Sequence, residues 1–324
     1  MAKILILGGG GMIGHKLAQA LAADSPGDQV TLFDVAFPPT PAPAHQVITG
    51  DVTDVATITS LAAARPDVIY HLAAIVSGEA EEAFDKGWSI NMMALWTLLQ
   101  ALRAEHDASG GAYVPKIIFT SSIAVFGAPF PDKIGDEFLS APQTSYGAQK
   151  ACCELMLSDF SRKGFVDGIA LRLPTICVRP GKPNKAASGF FSGIIREPLN
   201  GQDAILPVPT TVRHWHASPR AAVGFLRHAA GLDSARLNGR RALNLPGVCV
   251  SVAEQIEALR DIAGNAAVAR IKHEPDAQIA AIVANWPEQF DPQRALALGF
   301  VAEPDFKTII QTYIDDDMTA SGGA

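Results

Sequence analysis

Apolar and polar positions change period in blocks along the first half of the chain. Lys3–Leu7 is a short apolar run ending at glycines and reads as a buried strand, whereas Met12–Ala23 carries apolar residues at helical spacing. Gln29–Asp34, Gln46–Thr49, Asp67–His71 and Lys116–Thr120 read as further short buried strands. Helical stretches lie between them at Thr53–Ala64, Ala83–Glu105 and Tyr146–Lys163, and Asp167–Leu173 is a strand again. Strands alternating with helices in this way predict an α/β protein with a doubly wound parallel sheet. The proline-rich Phe37–His45 and the glycine-containing Asp107–Pro115 are surface connections, and the tail MTASGGA frays. Further on, Ala242–Gly247 reads as a strand returning to the large sheet. Ser251 and Glu254 form a capping box for a helix, and Phe290–Phe300 is a short strand and helix.

The first strand runs into Gly8-Gly-Gly-Gly11-Met12-Ile13-Gly14. Glycines at this spacing, between a strand and a helix, allow a tight turn, close approach of backbone to a pyrophosphate, and close helix–strand packing. The helix N-terminus then presents free N–H groups to the phosphates. Asp34 ends the second strand 20 residues after Gly14, where a carboxylate takes ribose hydroxyls, and Val35 and Ala36 bring no arginine for a 2′-phosphate. That pattern points to NAD rather than NADP; the alternative for Asp34 is an ordinary strand-end turn residue.

Composition narrows the class. With 324 residues, 48% of them hydrophobic and 18% charged, the chain can bury a large core, and its net charge of −7 argues against a nucleic-acid or anionic-membrane partner. No apolar run approaches membrane-spanning length, and the apolar start stops at glycines rather than continuing as a signal peptide. Cys152, Cys153, Cys177 and Cys249 have no metal-site spacing, which fits reduced thiols in a cytoplasm.

Tyr146 and Lys150 stand four apart near a helix start, so they share a face. An ammonium beside a phenol favours the phenolate and lowers a pKa that is ordinarily about 10, which makes Tyr146 a proton-transfer candidate. A tyrosine and a solvated lysine on a helix surface is the plainer alternative. The strand ending Thr120-Ser121-Ser122 and the one ending His71-Leu72-Ala73-Ala74 deliver residues to the carboxyl edge of the sheet, where doubly wound folds bind ligands.

Taken together, these motifs resemble the extended short-chain dehydrogenases/reductases, the NAD-dependent epimerase/dehydratase family. The resemblance rests on Gly8–Gly14, Gly50-Asp51-Val52, His71–Ala74, Asn91, Ser121-Ser122 followed by Val125-Phe126-Gly127, and Tyr146 with Lys150, all in family order. Leu7 replaces a usual threonine and Phe126 a usual tyrosine. The family likeness implies Tyr146 as general acid/base, Lys150 as its partner and ribose contact, and Ser122 as the hydroxyl holding the reacting oxygen, with Ser121 as the fallback. It implies cofactor contacts from Gly8, Gly11, Met12, Ile13, Gly14, Asp34, Asp51, Val52, Leu72, Ala73, Ala74, Asn91, Ser122, Tyr146, Lys150 and Pro174, although Asn91 is also an ordinary polar helix residue. It further implies a Rossmann lobe over 1–173 with 221–247 returning to it, a smaller mixed α/β substrate lobe over 174–220 and 248–324, and a homodimer packed through Ala83–Glu105 and Tyr146–Lys163.

The reaction is read from what departs. Ile123 and Ala124 stand where the family's dehydratases place an acidic pair, and neither donates a proton. Nucleotide-sugar epimerases carry an arginine-aspartate stretch where this chain has Arg213-His214 and then Ser218-Pro219-Arg220. Arg179, Lys182, Lys185 and Arg196 cluster upstream in an otherwise acidic chain, which suits a small anionic substrate; most such cations are otherwise solvated surface charges. This half resembles a branch that oxidises a four-carbon sugar acid beside its carboxylate. Arg179 and Arg213 are the candidate carboxylate contacts, with Asn184, Lys185 or His216 as helpers. A nucleotide-sugar epimerase with tightly bound NAD is the alternative. His214 and His216 have no third ligand in view, so packing or substrate hydrogen bonding is expected there and no metal.

Overall fold

The computed structural model describes residues 1–181 and 187–318, so Lys182, Asn184 and Lys185 lie outside the described residues. The chain opens with β1 (Lys3–Leu7), α1 (Met12–Asp24), β2 (Gln29–Asp34), β3 (Gln46–Thr49), α2 (Val55–Ala63) and β4 (Val68–His71). Next come α3 (Ser77–Glu82), α4 (Phe84–Trp88), a π-helical turn at Ser89–Met93 and α5 (Ala94–Ala108). They lead to β5 (Lys116–Ser122), β6 (Ile134–Gly135), α6 (Ser145–Arg162) and β7 (Asp167–Leu173). The rest runs β8 (Thr175–Ile176), α7 (Gly189–Leu199), β9 (Ala204–Leu206), β10 (Arg213–Ala217), α8 (Pro219–Gly231) and β11 (Ala242–Asn244). It continues with β12 (Val248–Ser251), α9 (Val252–Val268), β13 (Ile271–His273), α10 (Ala277–Val283), β14 (Phe290–Asp291), α11 (Gln293–Ala297) and α12 (Phe306–Tyr313).

Backbone proximity divides the chain into two compact units. The first comprises Met1–Val125, Thr144–Arg172 and Val223–Leu243; the second comprises Phe126–Gln143 and the described parts of Leu173–Ala222 and of the chain after Leu243. The first unit is built on a seven-stranded sheet in the order β11-β7-β5-β4-β1-β2-β3. β1 pairs in parallel with β2 and β4, β2 with β3, and β4 with β5. The near-continuous apolar runs follow from this, because a parallel sheet is covered on both faces. Leu7, Phe33, Leu95, Leu98 and Phe119 pack in one buried cluster of this unit. Among the described residues no helix is long and apolar enough to cross a membrane.

Two expectations differ. The strand over Gln46–Thr49, read as buried, is largely exposed, because β3 stands at the edge of the sheet with one neighbour. The helix anticipated over Ala83–Glu105 is interrupted by the π-helical turn, in which Asn91 is fully buried. Its side chain bonds to Ile75 and Gln149, residues 16 and 58 positions away, so tertiary anchoring overrides a periodic pattern that reads as continuous.

The second unit carries a three-stranded sheet, β12-β10-β8, with β10 antiparallel to β12 and parallel to β8. The capping box at α9 is present, with Ser251 accepting from the Glu254 amide and Glu254 from the Ser251 amide. Two residues apart on β10, His214 and His216 share a face, and both are buried in an aromatic cluster. The Phe191 ring stacks on His214 at 5.1 Å and meets His216 edge-on at 4.8 Å. Thr175 and Gln255 each hydrogen-bond one of these rings through Nε2. Burial pushes His214 down to about 4 and His216 well below its ordinary value; in the first unit, burial pushes His71 down to about 3.

These three histidines make the fold acid-labile in a defined window. Their unfolded value is 6.5, so the unfolded chain takes up protons first. Stability is therefore complete above that value and is lost as pH falls toward 4. Each tenfold displacement of an ionisation equilibrium is worth about 1.4 kcal/mol, a large share of a domain's stability. The thermal midpoint should fall steadily between about pH 7 and about pH 4.5, with a shallower fall for His214→Gln. A flat midpoint across that range would refute the assignment.

Candidate active site

The chain leaves β1 toward β2 and β3 on one side and returns to β4 on the other, so the carboxyl ends of β1 and β4 flank a topological switch point. The backbones there are very close. Leu72 and Ala73 both donate to the Leu7 carbonyl, at 2.8 and 3.0 Å. A Cβ on Gly8 (φ 91°) would lie 2.7 Å from the Ala73 nitrogen, and one on Gly14 would lie 2.2 Å from the Gly8 carbonyl oxygen. Neither position admits a side chain. Gly11 differs: a Cβ there meets only the Gly8 oxygen, at 3.4 Å, so its glycine leaves an open face rather than relieving a clash.

Gly11 is the N-cap of α1, with no side-chain cap and no acidic residue in the first turn. The amides of Met12, Ile13 and Gly14 thus open a helix whose positive end is not neutralised locally, which suits a diphosphate. Asp34 is held in place at the β2 end: its Oδ2 accepts from the Gly10 amide at 2.9 Å and its Oδ1 from the Val35 amide at 2.7 Å. The carboxylate stays half-buried beside the loop with unused acceptor capacity. Asp51 holds the amide and hydroxyl of Thr53, and the Val52 side chain is buried in the core, leaving its backbone for any ligand. Ala73 is half-buried and Ala74 exposed after β4. A glycine cradle, an uncapped helix start and an oriented carboxylate fit a dinucleotide.

The second group of residues gathers where α6 packs on β5 and the turn after it. Thr144 caps α6 through its Oγ1, which accepts from the Gly147 amide. This fixes the start of the helix that carries Tyr146 and Lys150. Lys150 is 1% exposed; its Nζ donates to the Thr120 carbonyl at 2.8 Å and lies 4.7 Å from the Phe119 ring centre and 5.5 Å from the Tyr146 ring centre. Burial lowers Lys150 to about 8, opposed by Cys153 and Glu154. Ser122 is half-buried and its Oγ accepts from the Ala124 amide, whereas Ser121 is buried with its hydroxyl committed to Glu154.

Tyr146 departs from the expectation drawn from spacing. Burial pushes its phenol up to about 12 instead of down. The sequence places a cation at the right distance along the helix but does not show that both groups are desolvated together. Desolvation raises an acid and lowers a base, and at Tyr146 the neighbouring Cys153 adds to the rise.

Asn91 Oδ1 accepts from the Ile75 amide and its Nδ2 donates to Gln149 Oε1, so its side chain ties the segment after β4 to α6. Gln149, Glu154 and Arg172 were not singled out by sequence reasoning. The only signal was their regular spacing from Lys150 and the end of β7.

In the second unit Pro174 is buried between β7 and β8. Arg179 is half-buried; its Nη2 donates to Ser188 Oγ at 3.1 Å, and Ser192 Oγ accepts from its backbone amide. Arg213 is exposed and paired with Glu254 at 3.1 Å. His216 hydrogen-bonds Gln255 inside the aromatic cluster. No group of three or more potential metal ligands occurs among the described residues.

Comparison with known proteins agrees with this geometry. Residues 4–218 match the model of the NAD dependent epimerase/dehydratase family. The chain is 45% identical to a D-erythronate dehydrogenase of Cupriavidus necator, covering 97% of this chain and 98% of that one. It is 42% identical to a D-erythronate dehydrogenase of Haemophilus influenzae, covering 98% and 100%. A solved structure from Agrobacterium tumefaciens, described as a nucleoside-diphosphate-sugar epimerase, superposes with a TM-score of 0.94 at 52% identity, over 100% of this chain and 95% of that one. The chain belongs to the NAD dependent epimerase/dehydratase family and is an NAD-dependent oxidoreductase.

Proposed function

We propose that this protein oxidises a small sugar acid at C2, with D-erythronate as the substrate and a 2-oxo-tetronate as the product. The observation that carries this reading is whole-length likeness to two D-erythronate dehydrogenases. Gly8, Gly11, Met12, Ile13 and Gly14 would hold the pyrophosphate of NAD, and Asp34 its adenosine ribose. Hydride acceptance is the chemistry the nicotinamide supplies when bound. The chain's own residues manage the proton: Tyr146 takes it from the C2 hydroxyl as the carbonyl forms, and Ser122 steadies that oxygen. Lys150 supplies the positive charge that favours the phenolate, and a cationic nicotinamide ring reinforces it.

Of the two arginines, Arg179 fits a carboxylate partner better. It is partly desolvated, and its Nη2 donates to a neutral serine hydroxyl, whereas Arg213 is exposed and already paired with Glu254. A guanidinium that can bind bidentately is the strongest side-chain receptor for a carboxylate. A second reading, interconversion of nucleotide sugars without net redox change, is favoured by the description of the Agrobacterium structure. NADH accumulation with four-carbon aldonates, and none with UDP- or dTDP-sugars, separates the two; isomerised nucleotide sugar without NADH would reverse the preference.

Tyr146→Phe should lower turnover by about two to four orders of magnitude, while the Kd of NAD changes little. Near-normal turnover would remove Tyr146 from the reaction. Arg179→Ala should weaken kcat/KM for the sugar acid by about 1.5 to 3 kcal/mol, the worth of a charge-assisted hydrogen bond, with Arg213→Ala much milder. The reverse ranking would move the carboxylate to Arg213. Asp34→Ala should narrow the preference for NAD over NADP, and equal use of both by the unaltered protein would remove that role for Asp34.

A further inference from the structure

Glu154 is a carboxylate only 6% exposed, in the interior of a helix and on the same face as Tyr146 and Lys150 at successive four-residue steps. Its Oε1 accepts from Ser121 Oγ at 2.5 Å and from Arg172 Nε at 2.9 Å, and its Oε2 accepts from Arg172 Nη2 at 2.7 Å. Three elements meet in this contact. Ser121 is on β5, Arg172 on β7, the neighbour of β5 in the sheet, and Glu154 on α6.

A buried ion pair of this kind is not needed for stability, since apolar residues of similar volume commonly serve as well or better. Its distinctive property is direction. Two successive turns of α6 grip two successive residues of β5: Lys150 holds the Thr120 carbonyl and Glu154 holds the Ser121 hydroxyl. β5 pairs with β4 over Lys116–Phe119, so the body of the strand is fixed in register. Beyond that pairing side chains still alternate faces, and a local twist of the strand end would turn Ser121 out and Ser122 in unless the contact to Glu154 held Ser121.

We propose that Glu154, with Ser121 and Arg172, is a positioning device that sets the pleat of the β5 end and thereby presents Ser122 rather than Ser121 to the reacting oxygen. The bidentate Arg172 pair keeps the Glu154 carboxylate from rotating away, and the serine hydroxyl transmits that orientation to the strand. This rests on the reading that Ser122 and Tyr146 act on a sugar acid.

Ser121→Ala cuts the tie to the strand and leaves the Glu154–Arg172 pair intact. Turnover of D-erythronate should fall by about tenfold to a hundredfold, as expected for a misplaced reacting group. The KM for D-erythronate and the Kd of NAD should stay within about twofold, because no ligand contact is removed. Ser121→Thr, which restores the hydroxyl, should recover most of the lost kcat. Unchanged kcat in Ser121→Ala, or an equal loss in Ser121→Thr, would overturn the proposal. Amide hydrogen exchange over Ser122–Val125 reads the same device without substrate. It should quicken in Ser121→Ala and not in Ser121→Thr, and equal exchange in all three proteins would likewise overturn it. If the unaltered protein turns over no sugar acid, the functional reading fails and the exchange comparison alone decides the positioning role.

Discussion

An ammonium with 1% exposure is the constraint around which the first unit is arranged. Lys150 lies under the carboxyl end of β5, and a buried cation is tolerated only where oxygen, ring faces or an anion replace its water. Here the Thr120 carbonyl, the faces of Phe119 and Tyr146, and the field of Glu154 do so. Each of these partners sits on an element with its own anchor. β5 is locked in register with β4, α6 starts at the Thr144 cap, and Glu154 is clamped to Arg172. Moving any one of them would strand the charge, so the cation makes the local geometry stiff.

Much of this unit could be read without coordinates. The glycine loop, β1, β2 and β7 have the bounds that their apolar runs suggest, because a strand covered on both faces shows as an uninterrupted run, and β3 has its expected bounds although it is an exposed edge strand. The glycine spacing was legible for a steric reason: at Gly8 and Gly14 a side chain would collide with backbone. What escaped the sequence depends on distant partners. The π-helical turn at Ser89–Met93 is held by Asn91 bonding to Ile75 and Gln149, and periodicity within the helix carries no trace of them. Glu154 stands four residues after Lys150 with nothing local to mark it, and only the burial of both reveals a clamp.

The second unit was legible in its punctuation more than in its chemistry. The capping box at Ser251 and Glu254 uses contacts three residues apart, which the sequence displays directly. His214 and His216 presented a ligand-like spacing, but their surroundings are Phe191, Trp286 and Phe306 rather than further donors. Neutral imidazoles in such a cluster act as flat packing groups with one hydrogen bond each, to Thr175 and Gln255. The cost of that use is the acid sensitivity that burial imposes on them.

The opposite displacements of Tyr146 and Lys150 share their largest cause. Desolvation disfavours every charged form, so it raises the phenol to about 12 and lowers the ammonium to about 8. At neutral pH this leaves Tyr146 protonated, although a cation is nearby. A second positive charge entering the same low-dielectric surroundings acts on the phenolate with far more force than it would in water. In the proposed reaction, proton abstraction by Tyr146 would thereby be linked to occupancy: a poor base alone, it would become a better one beside a cationic ligand. On that proposal, the burial that at first sight opposes the chemistry of the Tyr146–Lys150 pair is what would make it responsive to the charge of a bound nicotinamide.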